Sequence, residues 1–498
     1  MRNPGIVAAV TAGKASALAT RILGRGGGTA LPGLVAQTIY PDILRALTAR
    51  LPGGAVVVTG TNGKTTTSRM LGSILEAAGL KPLHNRSGSN LERGLVSAMV
   101  DAAKPTGDLP DRFRVGLFEV DEAAAPGVLR AVHPRLALFN NLFRDQLDRY
   151  GEIDTVYNRW RKALPSLPAR STVALNADDP AIASLASTPG LHARVCTFGI
   201  ADPAYALDSL PHAADSISCP RCNSRLQYRL VLLGHLGHWR CTHCGLERPN
   251  PDVVARRVAL HGTDHSRLAL STSAGDLELT LKVPGLYNVY NGLAAVTAAL
   301  ALGIAPEHIK RGLEQFSAAF GRIERVTVPG SEPGGEGKQL MLALVKNPVG
   351  FNEVLRMLFP ARPLASHQSA QEQAPHQPGQ HHRPEHLLII INDLTADGRD
   401  VSWLWDVDFE VLASRPALVE RVHVSGIRAA DMAVRLKYAG VDPALIVVEP
   451  EPGPALDSAL ADLPPGHTLY VLPTYTAMLA FRRLLHERGW VKSQFWEQ

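Results

Sequence analysis

Short apolar runs recur at 55–59, 115–120, 136–139 and 173–175, and helical stretches alternate with them. A run of this length bounded by turn residues reads as a strand buried on both faces. Strand alternating with helix predicts a mostly parallel sheet covered by helices. Residues 55–59 read Ala-Val-Val-Val-Thr and end in a Gly-rich turn, after which a helix is expected from Thr65 through Leu75 and Ala78. Between Pro211 and about Pro251 the periodicity breaks, which predicts a small inserted module at about 212–250. Alternation over Ser266–Val283 predicts antiparallel strands, and an Ala-rich helix follows around Gly292–Leu302. Past a boundary near Phe320–Val328, new strand candidates at Leu340–Val345 and Leu387–Ile391 mark a second α/β domain. Between them, 365–386 is rich in Gln, His, Pro and Ser and is expected to be disordered, because it cannot bury enough apolar surface to order itself. Trp403 and Trp405 stand at strand spacing, which would turn both toward one side and into a core.

At 498 residues, 45% hydrophobic and 19% charged, the chain has apolar material for several globular cores. The expected division is a helical segment at 1–45 packed on a central domain at 46–320, then a domain at 321–498. A net charge of +5 is small for this length, and no Lys/Arg block alternates with stacking aromatics, which excludes nucleic acid as a partner. No apolar run reaches membrane-spanning length and no secretory signal is readable, so a cytoplasmic protein is expected. The Ala-rich segment Gly5–Leu23, with Lys14, Arg21 and Arg25 in or near it, could also lie peripherally on the inner face of a membrane.

The turn after the first strand reads Gly60-Thr61-Asn62-Gly63-Lys64-Thr65-Thr66. In such a loop backbone N–H groups converge on phosphate oxygens and the following helix N-terminus adds positive potential, so ATP is the expected ligand. Lys64 would reach the β and γ phosphates and Thr65 would place its hydroxyl on Mg²⁺. A parallel sheet brings Glu119, Asp121 and Glu122 to the same edge, and Glu119 is the expected acidic ligand of Mg²⁺. Four of five cysteines form Cys219-x-x-Cys222 and Cys241-x-x-Cys244, the ribbon spacing for a structural Zn²⁺ with no open position. His235, His238 and His243 lie within that module as bystanders, and Cys196 reads as a small buried hydrophobe.

The loop, together with Asn141-Leu-Phe-Arg-Asp-Gln-Leu-Asp148, Asn176-Ala-Asp-Asp179, Gly285-Leu-Tyr-Asn-Val-Tyr-Asn291 and Gly321-Arg-Ile-Glu324, resembles the ATP-dependent Mur ligases. The departures carry information too. Gln146 replaces the usual metal-binding His, Arg161 or a neighbour replaces the Lys that many members carbamylate, and Ala343-Leu-Val-Lys-Asn-Pro348 replaces an Asp-Tyr-Ala-His-Asn-Pro motif. With the Cys₄ insert, the leading Arg25–Leu34 segment and Asn392–Asp406, these features look like one branch, the MurT-type ligase subunits of lipid II isoglutaminyl synthase.

The resemblance implies a Mur-ligase-like P-loop ATPase domain with an inserted Cys₄ zinc ribbon, followed by a Rossmann-like α/β domain. It implies amidation of the D-glutamate α-carboxyl of the lipid II stem peptide through an acyl phosphate, with ammonia from a GatD-type glutamine amidotransferase. It further implies ATP contacts at Asn288 and Arg322 and substrate contacts at Lys346 and Asn347. One acid of Asp397, Asp400, Asp406 and Asp408 would complete the partner's catalytic Cys-His pair, with Asp406 or Asp400 expected. A self-sufficient amino-acid ligase of the folylpolyglutamate type and a nucleotide-regulated scaffold are the alternatives.

Overall fold

The run Ala55–Thr59 forms β1, buried along its whole length as the third strand from one edge of a nine-stranded sheet. The structure is a computed structural model that describes residues 3–22, 30–85, 89–144, 153–316, 324–329, 337–359, 385–415 and 419–492. The chain makes two units. The first holds the described residues up to Phe316 except Ser209–Ala214, and the second holds Ser209–Ala214 and those from Glu324 onward.

In the first unit α1 (Pro4–Ile22), α2 (Leu31–Ile39) and α3 (Ile43–Thr48) precede β1, α4 (Lys64–Ala77), β2 (Pro82–His84), α5 (Glu92–Ala102), β3 (Val115–Glu119), α6 (Ala125–Val132) and β4 (Leu136–Phe139). Then come α7 (Ile153–Ala163), β5 (Thr172–Asn176), α8 (Pro180–Ser184), β6 (Arg194–Ile200) and a two-stranded ribbon, β7 (Gln227–Leu233) with β8 (Leu236–Arg240). The unit closes with β9 (Val253–His261), β10 (His265–Thr272), β11 (Gly275–Leu281), α9 (Leu286–Ala301) and α10 (Pro306–Gln315). Strand order is β11-β10-β9-β6-β5-β4-β1-β3-β2. Pairing is parallel from β2 through β9, and only β10 and β11 add antiparallel neighbours.

Continuous apolar runs suit this sheet because both faces are covered. Val57, Phe118, Phe139 and Leu175 enter a core with Val10 of α1, Leu44 of α3, Val96 of α5 and Trp160 of α7. Phe139 and Trp160 meet edge to face at 5.1 Å. Alternate residues such as Val56 and Val58 face the other way, where α4 and α9 lie against the strands. This arrangement carries the ends of β1, β3 and β4 to one edge, where the Gly60–Thr66 loop begins.

The second unit contains β12 (Glu324–Thr327), β13 (Gln339–Leu342), α11 (Pro348–Leu358), β14 (Glu385–Ile390), α12 (Glu410–Ala413), β15 (Val419–Ser425) and α13 (Ala429–Tyr438). It ends with β16 (Ile446–Val448), α14 (Pro452–Asp462), β17 (Thr468–Pro473) and α15 (Tyr475–Glu487). The sheet runs β12-β13-β17-β14-β15-β16, parallel from β13 to β16 with β12 antiparallel at the edge. Along β14 the side chains alternate between two cores, Leu387 and Ile389 with α11 and α13, and Leu388 and Ile390 with α14 and α15.

Two expectations change here. Trp403 and Trp405 belong to a 3₁₀ turn, Ser402–Asp406, so two residues of spacing no longer share a face. Trp403 packs on the core beside Phe351, whereas Trp405 is 52% exposed and leans on Tyr438 at 5.8 Å. Residues 365–384 of the expected disordered loop lie outside the described residues, and its last two, Glu385 and His386, already belong to β14.

His386 and His423 are buried in this unit, and burial holds the pKa of each below the ordinary imidazole value. The groups facing His423 are Asp462, with a carboxylate oxygen 3.2 Å from Nε2, Arg421 and His386. A depressed folded pKa means that unfolded chain takes up the protons first. Stability is therefore present above about pH 6.5 and is lost as pH falls below it, by about 1.4 kcal/mol per pH unit for each His still neutral in the fold. Acid unfolding followed by circular dichroism should have its midpoint at lower pH in His423→Leu than in the parent; an unchanged midpoint would rule His423 out as the sensor.

Candidate active site

The loop between β1 and α4 is held by the segment after β4. Thr61 N donates to Asn141 O at 3.0 Å, Asn62 N donates to Asn141 Oδ1 at 2.8 Å, and Asn141 Nδ2 donates to Asn62 O at 3.1 Å. Thr61 Oγ1 donates to Phe143 O at 3.1 Å and accepts from Phe143 N at 3.0 Å. Gly63 sits at φ 84°, and a Cβ there would collide with Asn291 Oδ1, so both the backbone and the neighbour require glycine.

Lys64, at the first position of α4, is buried. Its Nζ donates to Gly60 O at 2.6 Å and to Glu122 Oε2 at 2.9 Å. Thr65 Oγ1 donates to Glu119 Oε1 at 3.0 Å, while Glu119 Oε2 is buried and accepts no hydrogen bond. Asn85 fixes the end of β3 by accepting from Glu119 N and donating to Glu119 O, both at 2.9 Å. A hydroxyl and a carboxylate with a spare buried oxygen form the oxygen donor set that suits Mg²⁺ beside a triphosphate. Thr66 continues α4 and is buried.

Glu122 escaped assignment from sequence, where it was one of three adjacent acids. Its role as the ion partner of Lys64 arises from a contact across 58 positions. Asn291 also emerges here: its Oδ1 accepts from Thr67 Oγ1 at 3.3 Å and its Nδ2 donates to Asn288 Oδ1 at 3.1 Å. Asn288 in turn donates to Pro284 O at 2.7 Å, so it stands behind the loop and braces Asn291. Arg322 and Gln146 lie outside the described residues. Arg161 lies on α7 and is exposed.

Between β6 and β9 the ribbon brings Cys219, Cys222, Cys241 and Cys244 together, with their Sγ atoms all within 4.8 Å of one another. The Cys219–Cys244 and Cys222–Cys241 separations are 3.6 and 3.5 Å. A tetrahedron with metal–sulfur bonds of about 2.3 Å has edges of about 3.8 Å, which these distances approach. Each Cys-x-x-Cys turn ends in a left-handed residue, Asn223 at φ 61° and Gly245 at φ 72°. Hydrogen bonds from Ser224 hold the Cys222 thiol down to about 6, and burial pushes Cys219 up to about 12. Cys196 stands apart, buried in β6 and pushed up to about 12, as an inert apolar side chain would be.

The ribbon is fastened to the sheet next to the loop. Gly237 N donates to Asp178 O at 2.9 Å, Trp239 Nε1 donates to Ala177 O at 3.2 Å, and Asp178 accepts from Arg248 Nε at 2.6 Å and Tyr290 Oη at 2.7 Å. Asp179 Oδ2 accepts from Leu142 N at 2.8 Å, and the buried His235 lies 3.3 Å from the same carboxylate oxygen. His238 Nε2 is 2.8 Å from Ile200 O. These two histidines are structural contacts of the ribbon, away from its thiols.

In the second unit Asn347 caps α11, its Oδ1 accepting from Gly350 N at 2.9 Å, and Lys346 precedes it, half-buried. Asp397 accepts from Thr476 N at 2.8 Å, Asp400 from Ser402 N at 2.8 Å, and Asp408 from Asn352 Nδ2 at 2.9 Å. Asp406 ends the 3₁₀ turn, half-exposed beside Trp405.

Family profiles match twice, the Mur ligase middle domain over residues 58–237 and the MurT ligase C-terminal domain over 344–478. The chain is 32% identical over 484 residues to the lipid II isoglutaminyl synthase (glutamine-hydrolyzing) subunit MurT of Streptococcus pneumoniae, covering 97% of both. It is 32% identical over 440 residues to the subunit of the same name from Staphylococcus aureus, covering 88% of this chain and 89% of that one. Among solved structures, a pseudomurein peptide ligase type C from Methanothermus fervidus superposes with a TM-score of 0.64 at 19% identity, covering 90% of this chain and 81% of that one. MurF from Acinetobacter baumannii gives 0.60 at 16%, covering 91% and 80%, and these two likenesses concern the fold. The match spans nearly the whole of this chain and of the Streptococcus pneumoniae subunit, and the chain belongs to the family of MurT subunits of lipid II isoglutaminyl synthase.

Proposed function

We propose that this chain is the ATP-consuming ligase subunit of a glutamine-hydrolysing lipid II isoglutaminyl synthase. The observation that carries it is the Lys64–Glu122 and Thr65–Glu119 pairing at the phosphate loop of a chain alike over its whole length to such subunits. A carboxylate is a poor electrophile. An oxygen of the D-glutamate α-carboxylate attacks the γ-phosphorus of ATP, ADP leaves, and ammonia then attacks the acyl carbon while phosphate departs and the nitrogen loses a proton.

In this reading the loop amides and Lys64 bind and orient the phosphates, because phosphoryl transfer depends on positioning and charge neutralisation. Thr65 and Glu119 hold Mg²⁺, which when bound neutralises charge on the β and γ phosphates. Asn288 orients Asn291 and, with Arg322, completes the nucleotide site. Lys346 serves the acceptor; Asn347 fixes the start of α11, and its side-chain oxygen is already engaged there. The four thiolates hold a structural Zn²⁺.

Ammonia comes from a glutamine amidotransferase of the GatD type, and an Asp of this chain orients the partner's catalytic His. What favours Asp406 is its place at the end of the 3₁₀ turn beside Trp405, which is 52% exposed. The second unit is read as Rossmann-like on its parallel strands, although β17 lies between β13 and β14. No described helix is long and apolar enough to cross a membrane, and a cytoplasmic enzyme acting at the inner membrane face fits that.

The test is product mass after incubation with ATP, Mg²⁺, glutamine, lipid II and the glutaminase subunit. One carboxyl should become an amide, and ammonium salts should replace glutamine and the partner together. Glu119→Gln keeps an oxygen for Thr65 but loses the charge, so turnover should drop by about 10²-fold with a higher Mg²⁺ requirement. Product from a free amino acid without the partner would overturn the reading in favour of an amino-acid-adding ligase.

A further inference from the structure

The tip of a β-hairpin is normally its most exposed part, because a connecting turn leaves backbone polar groups to water. The tip between β7 and β8 is the reverse. Gly234 turns the chain at φ 57°, and His235 beside it is 0% exposed, with Leu233 and Leu236 buried on either side. An imidazole buried there costs free energy unless its nitrogens find partners. The groups around it all belong to the anchorage of one short piece of chain, the segment that follows β4. Three successive backbone N–H groups of that segment are each fixed from outside. Leu142 N donates to Asp179 Oδ2 at 2.8 Å, Phe143 N to Thr61 Oγ1 at 3.0 Å, and Arg144 N to Asp215 Oδ2 at 2.8 Å.

His235 meets each of the three attachments. Its Nε2 lies 3.3 Å from Asp179 Oδ2, its ring lies on that of Phe143 with centroids 4.4 Å apart, and its Nδ1 accepts from Asp215 N at 3.3 Å. A nitrogen that accepts a backbone N–H carries no proton, so the neutral ring bears its proton on Nε2, toward the Asp179 carboxylate. Asp179 is itself immobilised, because its Oδ1 accepts from Ala181 N and Ile182 N at the start of α8. The segment thus fixed is the one whose Phe143 carbonyl and amide clasp Thr61. We propose that His235 is a positioning residue of the nucleotide site: from the hairpin tip it sets Leu142–Arg144 at the place where Phe143 can hold Thr61, and so keeps the Gly60–Thr66 loop in the shape that receives phosphate. That the phosphate is ATP's rests on the reading under Proposed function; the fixing of the loop by His235 does not.

His235→Phe keeps a ring against Phe143 and removes both nitrogens, whereas His235→Gln returns a side-chain N–H near the place of Nε2. In the two-subunit complex, His235→Phe should raise KM for ATP about tenfold with kcat within about twofold of the parent, and His235→Gln should recover about threefold of that loss. Zinc content should match the parent in both. Amide hydrogen exchange, measured with no substrate present, should be faster in His235→Phe at residues 60–66 and 141–144 and unchanged at the two cysteine turns. Parental KM and parental exchange at the loop would overturn the proposal. So would a raised KM accompanied by loss of zinc, since His235 would then act only by keeping the ribbon folded. Should His235→Phe fail to fold, His235→Asn decides: it keeps an acceptor for Asp215 N and loses the contact with Asp179, so a parental KM overturns the proposal and a raised one supports it. Exchange is read without turnover, so a chain that amidates nothing would refute the proposed function and still leave the role of His235 to be judged.

Discussion

Lys64→Ala should lower ATP-dependent amidation by about 10³-fold or more, while the chain still assembles with its glutaminase partner. Two separate effects are expected from the one substitution. The ammonium that would neutralise the transferring phosphoryl group is lost, and Glu122, 4% exposed, is left buried without its cation. The second effect costs about 3–5 kcal/mol of stability on its own. Lys64→Ala/Glu122→Gln separates them: thermal stability should return most of the way to the parent value, because a neutral amide replaces the stranded carboxylate, and amidation should stay lost. Thermal unfolding and product mass measured on the same preparations decide it. Amidation by the Lys64→Ala chain at the parent rate would remove this lysine, and the mechanism built on it, from the reaction.

Cys241→Ser should have the next largest effect, and at a distance. Zinc content should fall from near one per chain to near zero, and ATP affinity should weaken about tenfold. Metal binding in such ribbons supplies folding free energy directly, so a serine in place of one thiolate loosens the whole hairpin. The path to the nucleotide is short. Gly237 N is held by Asp178 O, the next residue Asp179 holds Leu142 N, and Asn141 beside it clasps both ends of Asn62 in the phosphate loop. Metal analysis with equilibrium nucleotide binding checks this, and Cys196→Ala is the control, since that buried thiol is no part of the cluster. A zinc-free variant with unchanged ATP affinity would show the ribbon to be a passive appendage.

What could be read from sequence follows the range of the interaction. The β1–loop–α4 unit and the two Cys-x-x-Cys turns are local patterns, and the structure contains both where the pattern lies. The Lys64–Glu122 pair, the Arg248–Asp178 pair and the Asn291–Thr67 contact join residues 58, 70 and 224 positions apart, and nothing in the flanking residues marks them. Asn347 shows a different limit. Asn followed by Pro at a helix start is a capping signal, and the structure uses its side-chain oxygen as a cap, a role separate from the substrate contact that the resemblance implies. The Trp403–Trp405 expectation failed because a spacing of two fits a strand only if the backbone is extended, and five residues of 3₁₀ turn gave the two rings different neighbours.

The attachment of the ribbon between β6 and β9 also bears on how the chain comes to be assembled. Strands β1 to β6 and their helices are complete within the first 200 residues and can collapse as they leave the ribosome. The last three strands cannot join until β9 finds β6 across the intervening residues 201–252, a closure made shorter once the four thiolates are gathered. Only after that can α9 deliver Asn291 to the back of the phosphate loop. With the zinc proposed for this ribbon, a chain synthesised under zinc starvation would thus stall with a formed loop and no finished nucleotide site, and metal supply would set how many active ligases a growing cell obtains from a given amount of message.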